Sequence, residues 1–134
     1  MTRRDPHSYT DDAQPLTRSF DWHARVDFDT HVLTCVVTLT FTKPAAGGPL
    51  DLDTRGLTIE GVEDRDGAEL SYALHPVDPI LGQRLEITLP LGATSVRIRY
   101  RTSPEASALQ WLGPQQTLGK ERPYLFSQCQ AIHA

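Results

Sequence analysis

The sequence predicts an all-β domain of antiparallel strands, folded as a sandwich or a bent sheet. Three observations carry this. Apolar and polar residues alternate with period two in one segment after another. Glycine, proline and Asp-Gly turn signals separate those segments. No segment has the apolar spacing of a helix long enough to stand alone. With 134 residues, one domain is expected, and a chain of this size buries well over half of the surface it exposes unfolded.

Residues 1–18 are polar, contain Pro6 and Pro15 and lack periodicity, which predicts an irregular N-terminal arm ahead of a β domain over residues 19–134. From Phe20 the alternation is sharp. Phe20, Trp22, Ala24, Val26 and Phe28 share one face, and Asp21, His23, Arg25 and Asp27 the other, so this strand has one wet face. A turn at Asp29-Thr30 leads to a second strand, His31 to Thr42, with Leu33, Cys35, Val37, Leu39 and Phe41 facing inward. Thr34, Thr38 and Thr40, good strand formers that tolerate water, lie opposite. These two strands are expected to form an antiparallel hairpin. Pro44 and Gly47-Gly48-Pro49 break the pattern. Shorter strands are expected at Leu50–Thr54 and Leu57–Glu63. Asp66-Gly67 then supplies a hairpin turn, because glycine adopts the positive φ that such turns require. Leu70, Tyr72 and Leu74 alternate next, Pro76, Pro79 and Gly82 mark a loop, and strands follow at Arg84–Leu89 and Thr94–Arg101. The total is about seven strands, and Ser107 to His133 reads as a long loop rich in aromatics and amides.

Composition narrows the function. Thirteen lysines and arginines stand against seventeen acidic residues, a formal net charge of -4, so nothing recommends nucleic acid or an anionic membrane as a partner. Arg97, Arg99 and Arg101 are the densest basic group, and strand alternation accounts for them as an outward row. No stretch approaches the roughly 18–20 apolar residues of a membrane span, and the N-terminus lacks the apolar segment of a secretory signal. Two cysteines, Cys35 and Cys129, fit reduced thiols and a cytoplasmic location better than a disulfide framework.

Catalytic chemistry is missing from the pattern. His7, His23, His31, His75 and His133 do not fall at metal-ligand spacing, and His23 and His31 are expected as solvated strand-edge residues. Asp51 and Asp53 share a strand face and are expected to be solvated, since the remaining oxygens of a calcium loop are absent. Cys129 and His133 are four residues apart, but no helix brings them together as nucleophile and base. No catalytic residue and no metal ligand is assigned in this chain.

The run from Ser107, SALQWLGPQQTLGKERPYLFSQCQAIHA, resembles zinc aminopeptidases of the aminopeptidase N type, nearest the leukotriene A-4 hydrolase branch. The Ser-Ala-Leu-Gln-Trp-Leu opening, the Pro-Tyr-Leu-Phe-Ser-Gln centre and the Gln-Ala-Ile-His end carry the likeness. Leu50–Thr54, Leu57–Glu60 and Tyr72–Leu74 match the family's N-terminal domain in order. The resemblance covers the chain from about residue 18 onward. It implies a saddle-shaped β domain, incomplete at its C-terminal end, that belongs to a larger metallopeptidase. In that parent a thermolysin-like catalytic domain would hold zinc through an H-E-x-x-H motif and a distal glutamate, none of which stands in this sequence. The chain itself is expected to bind no zinc and to be inactive alone.

The resemblance further implies a substrate edge at Gln128, Cys129, Gln130 and Ala131, lining the first pocket for a peptide substrate beside the catalytic domain of the same chain. An amide oxygen accepts a hydrogen bond from a peptide's cationic amine without adding another carboxylate. Trp111, Tyr124 and Phe126 are read as core or interdomain anchors, and His133 as structural. The alternative function is a stand-alone, non-catalytic β-sandwich binding module.

Overall fold

The computed structural model of the chain describes residue 6, residues 8–11 and residues 13–127. In chain order its strands are β1 (Thr17–Asp27), β2 (Val32–Phe41), β3 (Ala46–Thr54), β4 (Thr58–Glu63), β5 (Tyr72–Leu74), β6 (Gln83–Leu91), β7 (Ser95–Arg101), β8 (Leu109–Leu112) and β9 (Tyr124–Ser127). A short 3-10 turn, Pro114–Gln116, lies between the last two. Every strand pairing is antiparallel. The strands form a four-stranded sheet in the order β1-β2-β7-β4, a three-stranded sheet β3-β6-β5 and the hairpin β8-β9.

The β1–β2 hairpin forms as the alternation requires, with Trp22 opposite Val37 and Ala24 opposite Cys35. Its turn is fastened by Asp27, whose Oδ1 accepts the backbone N–H groups of Asp29 at 2.9 Å and Thr30 at 3.1 Å. Those donors, Thr30 first, hold the Asp27 carboxyl below its ordinary value. Asp66-Gly67 also makes its turn. Asp64 Oδ1 accepts the N–H groups of Asp66 and Ala68, each at 2.9 Å, and Gly67 has φ +85°. The flanking strands, however, do not pair with each other beyond a single bridge from Glu63 to Glu69. β4 joins β7 and β5 joins β6. The turn chemistry sets the reversal of the chain, and burial of Val62 against Ile98 sets the partner.

The core lies between the two larger sheets. Val62 (β4), Leu85 and Ile87 (β6) and Val96 (β7) are no more than 2% exposed, and Phe41, Ala45, Leu50, Leu89 and Ile98 complete the cluster. Each such side chain contributes on the order of 1.5–3 kcal/mol by leaving water. On the outer face of the larger sheet, two arginines of the row are paired with glutamates of β4. Arg101 Nε sits 2.5 Å from Glu60 Oε1, and Arg99 Nε 2.8 Å from Glu63 Oε1, an ion pair whose N–H is not aligned for a hydrogen bond. Gly61, at a bulge in β4, makes room for this, since a Cβ there would come within 2.5 Å of the Arg99 guanidinium.

Three expectations are corrected. Gly47-Gly48-Pro49 does not end a strand but lies inside β3, at the edge of its sheet, where a missing proline N–H costs no ladder bond. The stretch after Ser107 is not all loop, since β8 and β9 pair from Leu109–Ser127 to Leu112–Tyr124. Four-residue strands are too short for the alternation to stand out in sequence. Asp51 is not solvated: it is 7% exposed, because the N-terminal arm covers it. Gln14 donates from Nε2 to Asp51 Oδ2 at 2.9 Å and accepts the Asp51 backbone N–H at 2.6 Å, so its amide acts as one more ladder partner on the β3 edge. Asp51 Oδ1 makes no hydrogen bond among the described residues, and the guanidinium Nε of Arg84 lies 3.7 Å away. Asp53, though exposed, accepts Ser8 Oγ–H at 2.5 Å and the Tyr9 N–H at 2.7 Å. The two carboxylates tie the arm down.

Candidate functional site

Where the two sheets part, an apolar groove opens. The three-stranded sheet covers β7 and β4 and leaves the β1 side bare, so the inner face of β2 is covered only in part. The resulting cavity, about 670 Å³, is lined by Trp22, Leu33, Cys35, Leu57, Tyr100 and Leu109, among others. Its walls follow from strand period alone: the inward positions of β1, β2 and β7 are apolar, and cross-strand register lines them up as Trp22–Val37–Ile98 and Ala24–Cys35–Tyr100.

The polar groups in this groove are few. Trp22 Nε1 donates to Tyr100 Oη at 2.8 Å. Burial pushes the Tyr100 phenol up to about 12 against the opposing pull of that indole N–H. Cys35 is a free thiol, 1% exposed, and desolvation raises it above its ordinary value. A thiol held neutral in this way is a poor nucleophile, which leaves Cys35 a packing residue.

The β8–β9 hairpin closes one end. Trp111 stacks on His31 with ring centroids 4.8 Å apart and meets Phe28 edge-on at 5.7 Å, fixing the hairpin to the β1–β2 turn. The expectation of an anchoring role is met for Trp111, whose indole N–H is buried without a partner among the described residues. His31 is exposed, as expected, but it sits in the β1–β2 turn and not in a strand. It occupies the turn with φ +58° and its ring is engaged by Trp111. Tyr124 and Phe126 are 56% and 45% exposed, so neither is a core residue among the described residues. The hairpin loop is held by Gln116, whose Oε1 accepts the Gly113 N–H at 2.9 Å, and by Thr117, whose hydroxyl lies 2.8 Å from the carbonyls of both Pro114 and Arg122.

β9 ends at Ser127, which lines the groove. The four residues expected to form a substrate edge, Gln128, Cys129, Gln130 and Ala131, follow directly in the chain and lie outside the described residues, as does His133. His7 also lies outside the described residues, and the other three histidines are dispersed: His23 on the outer face of β1, His31 on Trp111, and His75 beside Arg84 and Glu86. Among the described residues no group of three or more His, Cys, Asp or Glu side chains is placed to hold a metal ion. Among the described residues the donor set does not fit a zinc ion. No helix among the described residues is long and apolar enough to cross a membrane.

Fold and groove together define a class: an antiparallel, two-sheet β domain with half of one inner face bare, and a hairpin carrying the chain along that bare face. No family model matches the chain. Leukotriene A-4 hydrolase of Xenopus laevis is 38% identical to it over 135 aligned residues, spanning 96% of this chain and 22% of that protein. Leucine aminopeptidase 2 of Yarrowia lipolytica is 42% identical over 113 residues, 82% of this chain and 17% of that protein. The structure of yeast leukotriene A-4 hydrolase in complex with bestatin superposes with a TM-score of 0.86 at 28% identity, over 98% of this chain and 21% of that one. The chain thus spans about a fifth of the length of the relatives it matches. It is an aminopeptidase-family domain, homologous to the N-terminal region of leukotriene A-4 hydrolase and leucine aminopeptidase 2.

Proposed function

We propose that this domain forms the substrate edge of a zinc-dependent aminopeptidase that removes N-terminal residues from peptides, and that the chain alone is inactive. The observation that carries the reading is the homology over 96% of the chain to a hydrolase of which it spans 22%. The β8–β9 hairpin adds to it, because it delivers the chain to Gln128 from the wall of the groove. On this reading the amides of Gln128 and Gln130 meet the substrate's free amine and first carbonyl. Cys129 and Ala131 shape the pocket, and zinc is held by a catalytic domain of the same polypeptide. A cytoplasmic location belongs to the same proposal and rests on the two-cysteine composition.

Two measurements test this. The 134-residue chain should cleave no aminoacyl-p-nitroanilide and retain no stoichiometric zinc after dialysis; turnover by the pure chain refutes the reading. Then let this domain replace the matching region of yeast leukotriene A-4 hydrolase. In that chimera Gln130→Ala should raise KM for peptide substrates about tenfold, the cost of one hydrogen bond to a charged group. An unchanged KM refutes the substrate-edge role.

A further inference from the structure

We propose that β1 is a self-complementary docking edge: β1 of one copy pairs antiparallel with β1 of a second copy about a two-fold axis at His23, joining the two four-stranded sheets into one. This surface is separate from the Gln128–Ala131 segment and does not rest on the aminopeptidase reading.

β1 ends its sheet, with β2 as its strand partner on one side and none on the other among the described residues. Every residue from Thr17 to Asp27 is exposed. Phe20, Trp22 and Val26 are 67%, 50% and 40% exposed. A bare edge of this kind presents a row of unpaired N–H and C=O groups, and proteins usually protect such edges with proline, a bulge or a short strand. β1 contains no proline and its pairing with β2 runs unbroken from Ser19 to Asp27, so what guards this edge is its charged side chains, Asp21, Arg25 and Asp27 among them.

The side chains specify the occupant. With the axis at His23, Asp21 of each copy lies opposite Arg25 of the other, giving two carboxylate–guanidinium pairs on the outer face. On the inner face Phe20 meets Val26 and Trp22 meets Ala24, large against small, and on the outer face Ser19 meets Asp27. Neighbouring registers lose this match. An axis at Trp22 sets indole on indole and leaves both guanidiniums without a carboxylate. An axis at Asp21 sets that carboxylate on itself, and one at Ala24 sets Asp21 against Asp27. Parallel, in-register stacking places every charge on its like. Opposite charges directly across an antiparallel pair stabilise it and like charges oppose it, so the charges of β1 select one partner, one direction and one register.

The test is a concentration series in analytical ultracentrifugation on the 134-residue chain, with far-UV circular dichroism as the check on folding. The wild-type chain should show a reversible monomer–dimer equilibrium. Asp21→Arg should weaken it by about tenfold or more, since it replaces two attractive pairs with two repulsive ones. Arg25→Asp should do the same. The double variant Asp21→Arg/Arg25→Asp should restore dimerisation to within about threefold of wild type. A second measurement reads the register directly. In a Cys129→Ser background, His23→Cys should form an intermolecular disulfide under mild oxidation, because residues directly opposite bring their Cβ atoms within reach of one. Asp21→Cys in that background should not. A wild-type chain that is monomeric throughout, single variants that dimerise as wild type does, a double variant without rescue, or equal cross-linking at both positions would each overturn the proposal.

Discussion

β1 and β7 are written in the same alphabet but meet opposite fates. Phe20, Trp22 and Val26 alternate with Asp21, His23 and Arg25, just as Val96 and Ile98 alternate with Arg97 and Arg99. Both strands pair with β2 and send their apolar residues to the same side of the sheet. Yet Val96 and Ile98 are 0% and 4% exposed, while every residue of β1 is exposed. The difference lies across the gap. β7 has Ile87 and Leu85 packed over it, and β1 has bare groove. Alternation states which face of a strand is apolar, and only the neighbouring layer decides whether that face contributes to stability.

The comparison breaks most sharply at Ile87. This residue is 0% exposed, and Ile87→Ala should cost about 2–5 kcal/mol, because it loses both burial and packing around the cavity it leaves. Urea unfolding with an unchanged m-value would register it; a loss below about 1 kcal/mol would mean that the two sheets do not share a tight core.

The boundary between the covered and bare halves can be read at Tyr100, whose phenol burial pushes up to about 12. The neutral form is the one the fold favours. Its contribution is therefore complete below the ordinary value near 10 and is lost as the pH climbs from there toward 12. Absorbance near 295 nm should show this tyrosine ionising well above pH 10, close to 12. In Trp22→Phe, which removes the indole N–H that favours the phenolate, ionisation should come no earlier. Ionisation of Tyr100 near 10 in the native chain would show that the groove is wet down to this ring.

The smallest effect belongs to Phe20. At 67% exposure, Phe20→Ala should change stability by no more than about 0.5 kcal/mol, measured in dilute solution where copies do not meet. The same deletion of an aromatic ring in a filled core costs about 3–5 kcal/mol. A loss of that size at Phe20 would mean that the inner face of β1 is covered.

How much could be read from the residues alone varies along the chain. Long alternating runs gave β1, β2, β6 and β7 to within a few residues, because a period of two repeated several times over suits a half-buried strand and does not suit a helix. β8 and β9 were missed, since Leu109–Leu112 and Tyr124–Ser127 each offer only two positions per face. Asp66-Gly67 was legible as a turn, while the exchange of sheets around it was not, because turn chemistry is local and partner choice is not. Asp51 read as a solvated carboxylate because its cover comes from Gln14, 37 residues earlier in the chain. The substrate edge, Gln128 to Ala131, came only from resemblance in a specific run of residues.

The sequence by itself determined the strand class, the apolar side of each strand and the self-matching order of charges along β1. These follow from side-chain period and from which residue types water tolerates. The tertiary structure decided which apolar faces became core, which strand was left as an edge and which carboxylate was buried. Each of those depends on what lies about one sheet spacing away, roughly 10 Å through space, between residues that have no local reason to meet.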